Sequence, residues 1–148
     1  MKAGAATLKT TAIVTALIAL GSMTTMRVEA HGDVVPQAVD VSTLKALGAE
    51  WRKENPYRGN EIAIRIGTSA YNQNCARCHG LEAVSGGIAP DLRMLPIDAE
   101  TDDYFLNTVR RGRVRNGAVY MPPFEGILNQ EAVWAIKSYL ESRREKPL

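Results

Sequence analysis

Two cysteines and a histidine stand together in Cys75-Ala-Arg-Cys78-His79, and the 148-residue chain has no other cysteine. On a helical turn, residues at i, i+3 and i+4 project from one side. Two thiols placed so can each form a thioether to a porphyrin edge while the imidazole reaches the iron. C-x-x-C-H is the attachment signature of c-type haem, and it predicts one covalent haem c. Other chemistries use the same residue types. A Cys75–Cys78 disulfide suits an oxidising compartment, and a thioredoxin-like pair wants a βαβ context, which the pattern here does not offer. Zinc needs about four ligands, and the one other histidine, His31, is far away at what reads as an exposed N-terminus.

A haem carrier needs a second axial ligand, for which thioether sulfur is the usual partner. Beyond residue 30 the methionines are Met94 and Met121. Met121, in Tyr120-Met121-Pro122-Pro123-Phe124, follows His79 by 42 residues with a complete helix between. That separation lets the chain wrap to the far face of the porphyrin, and the two prolines stiffen the backbone there. Met94 follows His79 by only 15 residues and reads as a buried packing methionine. The expected iron ligands are His79 and Met121, with Cys75 and Cys78 as thioethers.

The elements that must position these residues read as helices. Asn60 is a good N-cap for a helix carrying Ile62, Ile66, Ala70 and Tyr71. Glycines and prolines from Gly80 to Pro96 mark a loop. A second helix starts near Thr101 and ends at Gly112, with acids first and arginines last, as the helix dipole favours. Residues 113–128 read as irregular. Asn129 caps a last helix with Leu128 and Val133 as a staple, presenting Ala132, Ile136, Tyr139 and Leu140 on one face. Ser42 is expected to cap a short helical turn bearing Leu44 and Leu47. No strand alternation stands out, and the fold class predicted is all-α.

Residues 1–30 read as a signal peptide: Lys2 and Lys9, a short apolar run over 12–20, and Val28-Glu29-Ala30 before a cut at His31. The apolar run is about half of the ~20 residues a membrane span needs. The expected organisation is a signal over 1–30, an extension over 31–59 and a domain over 60–148, periplasmic, with no membrane span after processing. Removing Lys2, Lys9, Arg27 and Glu29 leaves fifteen basic and fifteen acidic residues. The pI of 8.6 belongs largely to the signal and points to no nucleic acid. Arg110, Arg111, Arg113 and Arg115, and likewise Asp98, Glu100, Asp102 and Asp103, are either solvated surface or partner docking. Trp51, Tyr57, Arg58 and Arg93 are candidates for contact with haem propionates.

On these motifs, about residues 60–145 resemble the small mono-haem class I cytochromes c of bacterial periplasm. The resemblance implies that family's fold, three or more helices wrapped around one covalently bound haem. It implies that Gly67 lets the first helix cross closely against Tyr139 of the last. It also implies that, in Ala89-Pro90-Asp91-Leu92, the Pro90 carbonyl accepts the Nδ1–H of His79, fixing the ring and raising its basicity. Further runs, Glu54–Asn60, Tyr71–Leu81 and Ser85–Leu92, resemble the soluble cytochromes c that accept electrons from quinoprotein (pyrroloquinoline quinone-dependent) alcohol dehydrogenases. The implied function is one-electron transfer, with no enzymatic turnover of its own, from such a dehydrogenase toward a downstream cytochrome or oxidase. Two rivals are a cytochrome subunit of another redox complex, such as one oxidising sulfur compounds, and a haem peroxidase. The second needs an open iron position, which Met121 would fill.

Overall fold

Asn60 opens the first helix by accepting hydrogen bonds from the Ile62 and Ala63 amides at 2.9 and 3.0 Å, and α1 runs Glu61–Asn74. The computed structural model describes residues 35–145. After α1 come α2 (Ala76–His79), a 3-10 turn (Leu81–Ala83), α3 (Ala99–Arg111), β1 (Arg113–Arg115), β2 (Ala118–Met121) and α4 (Gln130–Ser142). The signal expected over 1–30 and His31 lie outside the described residues. Among the described residues, no helix is long and apolar enough to cross a membrane.

The chain is mostly helical, as expected, but the irregular stretch needs correction. Residues 113–121 form an antiparallel hairpin in which Val114 opposes Val119 and Arg113 opposes Met121. Asn116 and Gly117 at its turn both have positive φ, +51° and +78°. A two-residue type I′ turn demands that conformation, and Asn-Gly is the pair that supplies it. Helix α3 starts at Ala99 rather than Thr101, because Asp98 caps it by accepting from the Thr101 amide at 2.7 Å. The helical turn expected after Ser42 is a single turn only, with the Leu44 amide bonded to the Val41 carbonyl at 2.9 Å.

Helices α1 and α4 cross at the centre of the fold. A Cβ on Gly67 would lie 1.9 Å from the Ala135 carbonyl oxygen, so the crossing needs glycine. Tyr139, one turn further along α4, packs on Tyr71, with ring centroids 5.1 Å apart. Helix α4 is buried continuously from Ala132 to Leu140, not on one face alone. Residues 35–59 account for the difference, since they cover its polar side. Gln130 Nε2 donates to the Gly48 and Glu50 carbonyls at 2.6 and 3.0 Å. Asn55 Nδ2 donates to Ser138 Oγ at 3.0 Å.

Beneath this cover lies Asp102, which belongs to neither a solvated face nor a docking patch, since it is fully buried. It accepts from the Asn55 amide at 2.8 Å and from Arg58 Nη2 at 2.6 Å, with Lys137 Nζ 3.4 Å from its other oxygen. Asp98 caps α3 while staying exposed.

Candidate cofactor site

One turn of helix gathers the C-x-x-C-H residues. The chain leaves α1 at Cys75, whose carbonyl accepts from the Cys78 and His79 amides at 3.1 and 3.0 Å. Both thiols and the imidazole line a cavity of about 300 Å³. Helix α3 contributes Phe105 and Val109 to its walls, α4 contributes Ile136 and Leu140, and the loop contributes Ile88–Leu92. Met121 closes the set, delivered by β2 at the end of the hairpin.

The placement of Met121 depends on Gly112. This residue ends α3 with φ +67° and ψ −165°, a region essentially open to glycine alone. A Cβ there would lie 2.3 Å from the Met121 carbonyl oxygen. The segment beyond is anchored by the Phe124 amide, which donates to the Val109 carbonyl at 3.0 Å.

His79 Nδ1 lies 2.9 Å from the Pro90 carbonyl oxygen. A carbonyl only accepts, so Nδ1 carries the proton and Nε2 keeps a free lone pair. The Cys75 thiol is pushed up to about 12, first by burial and then by the neighbouring Cys78. A thioredoxin-like pair needs the opposite, a depressed thiol. Neither cysteine is in a disulfide. Among the described residues, no cluster of three or more His, Cys, Asp or Glu is set to hold a metal ion, so zinc finds no ligand set there.

The residues fit a large flat apolar cofactor carrying iron. The cavity walls are mostly carbon, two free thiols face it, and an imidazole nitrogen and a thioether are both within its lining. Cys75, Cys78, His79, Pro90 and Met121 are thus brought to one place.

One expectation fails here. Met94 is 58% exposed and does not line the cavity, so it is not a buried packing residue. None of Trp51, Tyr57, Arg58 and Arg93 lines it either. Arg58 pairs with Asp102 and Glu141, and Arg93 with Asp91 and Glu145. Arg110 lies 4.5 Å over the Trp51 ring. Asn74, Tyr104, Arg113 and Tyr120 line the cavity without having been expected. The arginine cluster therefore divides: Arg110 is used internally, beside Glu125, while Arg113 stands at the cavity over Tyr104.

Comparison with known proteins gives concordant results. The family described as Cytochrome C oxidase, cbb3-type, subunit III matches residues 63–140. Cytochrome c550 of Pseudomonas aeruginosa is 62% identical over 117 residues, which are 76% of this chain and 81% of that protein. Two enzymes of Pseudomonas putida also match in part. Quinohemoprotein alcohol dehydrogenase ADH-IIG is 40% identical over 89 residues, 60% of this chain and 12% of the enzyme. Quinohemoprotein alcohol dehydrogenase ADH IIB is 39% identical over 92 residues, 62% of this chain and 13% of the enzyme.

Proposed function

The chain belongs to the cytochrome c family, as an electron-transfer protein with covalently bound haem c, and from that premise we propose that it carries single electrons away from a quinoprotein alcohol dehydrogenase. Cys75 and Cys78 would hold the haem through thioethers, and His79 and Met121 would hold its iron. The Pro90 carbonyl orients His79, and α1, α3 and α4 wrap the cofactor. One observation carries this reading: a single apolar cavity lined by two free thiols, an imidazole with its Nδ1–H occupied, and a thioether.

When bound, haem supplies a reversible ferric/ferrous couple, and axial ligand identity moves such potentials across about 0.8 V. The protein's part is to bind, orient and exclude water. The Pro90 bond keeps Nε2 directed to the metal and makes it more basic. Thioether sulfur favours ferrous iron and raises the potential. Apolar walls keep water from the iron.

Two dehydrogenases support this choice of partner, since each carries within one polypeptide a short segment similar to this chain. This chain is the separate counterpart of that segment, serving a dehydrogenase that must pass its electrons outward to a cytochrome or oxidase. We read residues 1–30 as a signal for export to the periplasm, with residues 31–59 preceding the cytochrome domain at 60–148. A second reading, a subunit of a larger redox complex, draws on the match to a family described as an oxidase subunit. Stopped-flow mixing with a reduced quinoprotein alcohol dehydrogenase decides between them. Reduction much faster than that of an unrelated cytochrome c is expected. Equal rates reject the pairing while leaving the haem assignment intact, and elution of the native protein in a large complex favours the second reading.

A further inference from the structure

We propose that Asp91 and Arg93, braced by Glu145, are positioning residues that hold the Pro90 carbonyl against His79 and thereby set the reduction potential. The inference rests on the reading of His79 as an iron ligand. Pro90 lies in the loop between the 3-10 turn and α3, where no helix or strand fixes its carbonyl. The anchors stand on either side of it. Before it, the Ser85 hydroxyl donates to the Ala89 carbonyl and accepts from the Gly87 amide at 3.0 Å.

After it, the Asp91 carboxylate receives Arg93 Nε on Oδ1 at 3.1 Å and Nη2 on Oδ2 at 2.8 Å. The backbone amides of Arg93 and Ser85 donate to the same carboxylate at 2.9 and 3.3 Å. A two-pronged guanidinium–carboxylate pair fixes a plane as well as a distance. Arg93 Nη1 donates onward to Glu145 at 2.7 Å, and the Glu145 amide donates back to the Arg93 carbonyl at 3.2 Å. The loop that orients His79 is thereby tied to the chain beyond α4. Arg93 side-chain hydrogen bonds, then its amide, hold the Asp91 carboxyl well below the usual carboxylate range, so the pair stays charged at neutral pH.

A carbonyl held close to Nδ1–H makes the imidazole a stronger electron donor, which favours ferric iron and lowers the potential. Loosening the clamp therefore raises it. Charge alone predicts otherwise for Arg93. Loss of the Asp91 negative charge would raise the potential, while loss of the Arg93 positive charge would lower it. Positioning and charge thus agree in sign at Asp91 and part at Arg93.

The test compares haem-loaded Asp91→Asn, Arg93→Gln and Arg93→Lys with the wild type. Potentials are read by spectroelectrochemistry, and solvent exchange of the His79 Nδ1 proton by NMR of the reduced protein. The potential is expected to rise in all three. The ring proton should exchange about tenfold faster, the effect of losing one hydrogen bond of ordinary strength. Opposite shifts in Asp91→Asn and Arg93→Gln, with unchanged exchange, overturn the proposal. Arg93→Lys keeps the charge but gives up the fork, and it decides the matter should a neutral variant fail to fold. If it matches the wild type in both readouts, the proposal is overturned. A wild-type His79 ring lacking the large upfield shifts of an axial ligand overturns the ligation reading instead, before any variant is made.

Discussion

Met121 and Met94 put the same thioether into different surroundings. Met121 is partly buried against the core and faces the cavity, while Met94 stands 58% exposed on the loop. Replacing Met121 with Ala should abolish the weak far-red band that methionine sulfur gives with ferric haem, admit cyanide and lower the potential. Met94→Ala should leave all three alone and change stability by no more than about 0.5 kcal/mol, as exposed substitutions do. Absorption spectra, a cyanide titration and urea unfolding check this, and a band lost only in Met94→Ala means the other sulfur ligates. At this scale, the meeting of Cys75, Cys78, His79 and Met121 at one cavity was legible in the sequence, because residue type and order point to one chemistry. Arg58 and Arg93 were not. A guanidinium binds whatever carboxylate the fold brings up, and here Asp102, Glu141 and Glu145 arrive from 44, 83 and 52 residues away.

Two glycines do the elements' positioning, and they do different things. Gly67 lets α1 touch the α4 backbone at Ala135, whereas Gly112 lets α3 turn into the hairpin while passing under the Met121 carbonyl. Gly67→Ala should force the helices apart at about 1–3 kcal/mol, the usual cost of overpacking, and keep the far-red band. Gly112→Ala should cost about 1–3 kcal/mol in backbone strain alone, and more from the clash with Met121. It should also weaken the far-red band, because the displaced atoms are backbone atoms of Met121, Pro122 and Pro123, the segment that carries the sulfur. Urea unfolding read beside the ferric spectrum separates the two, and an intact band in Gly112→Ala would show that the turn does not place the ligand. The helices were legible through Asn60, Asn129 and Gly112, which cap or end them. The hairpin had an equally local signal in Asn116-Gly117, but its strands expose nearly every side chain and carry no inward-facing alternation. The burial of α4 on its polar side had no local signal, because residues 35–59 that cover it form no regular element.

Across the whole molecule, residues 35–59 and the helices are joined at one buried point. Asp102 and Lys137 are almost wholly inaccessible, and each is shared. Asp102 meets the Asn55 amide, Arg58 and Lys137, while Lys137 also lies 3.3 Å from Glu141. Asp102 Oδ1 has no hydrogen bond of its own; the Lys137 ammonium at 3.4 Å is its charge partner. Burying such a network yields little net stability, but removing one member leaves its buried neighbours a counter-charge short, at a cost of up to about 3–5 kcal/mol. Asp102→Ala should show that loss by urea unfolding, and it should also release the Asn55 amide from its 2.8 Å bond. Hydrogen exchange would then rise around residue 55 before it rises in α1. Lys137→Met should cost a similar amount. The double variant should cost less than the two losses added, because the second change removes the charge that the first left a counter-charge short. Additive losses, or an Asp102→Ala protein within about 1 kcal/mol of wild type, would mean that residues 35–59 are held by their apolar contacts, such as Leu44 and Tyr57, and that the buried charges do not fasten them.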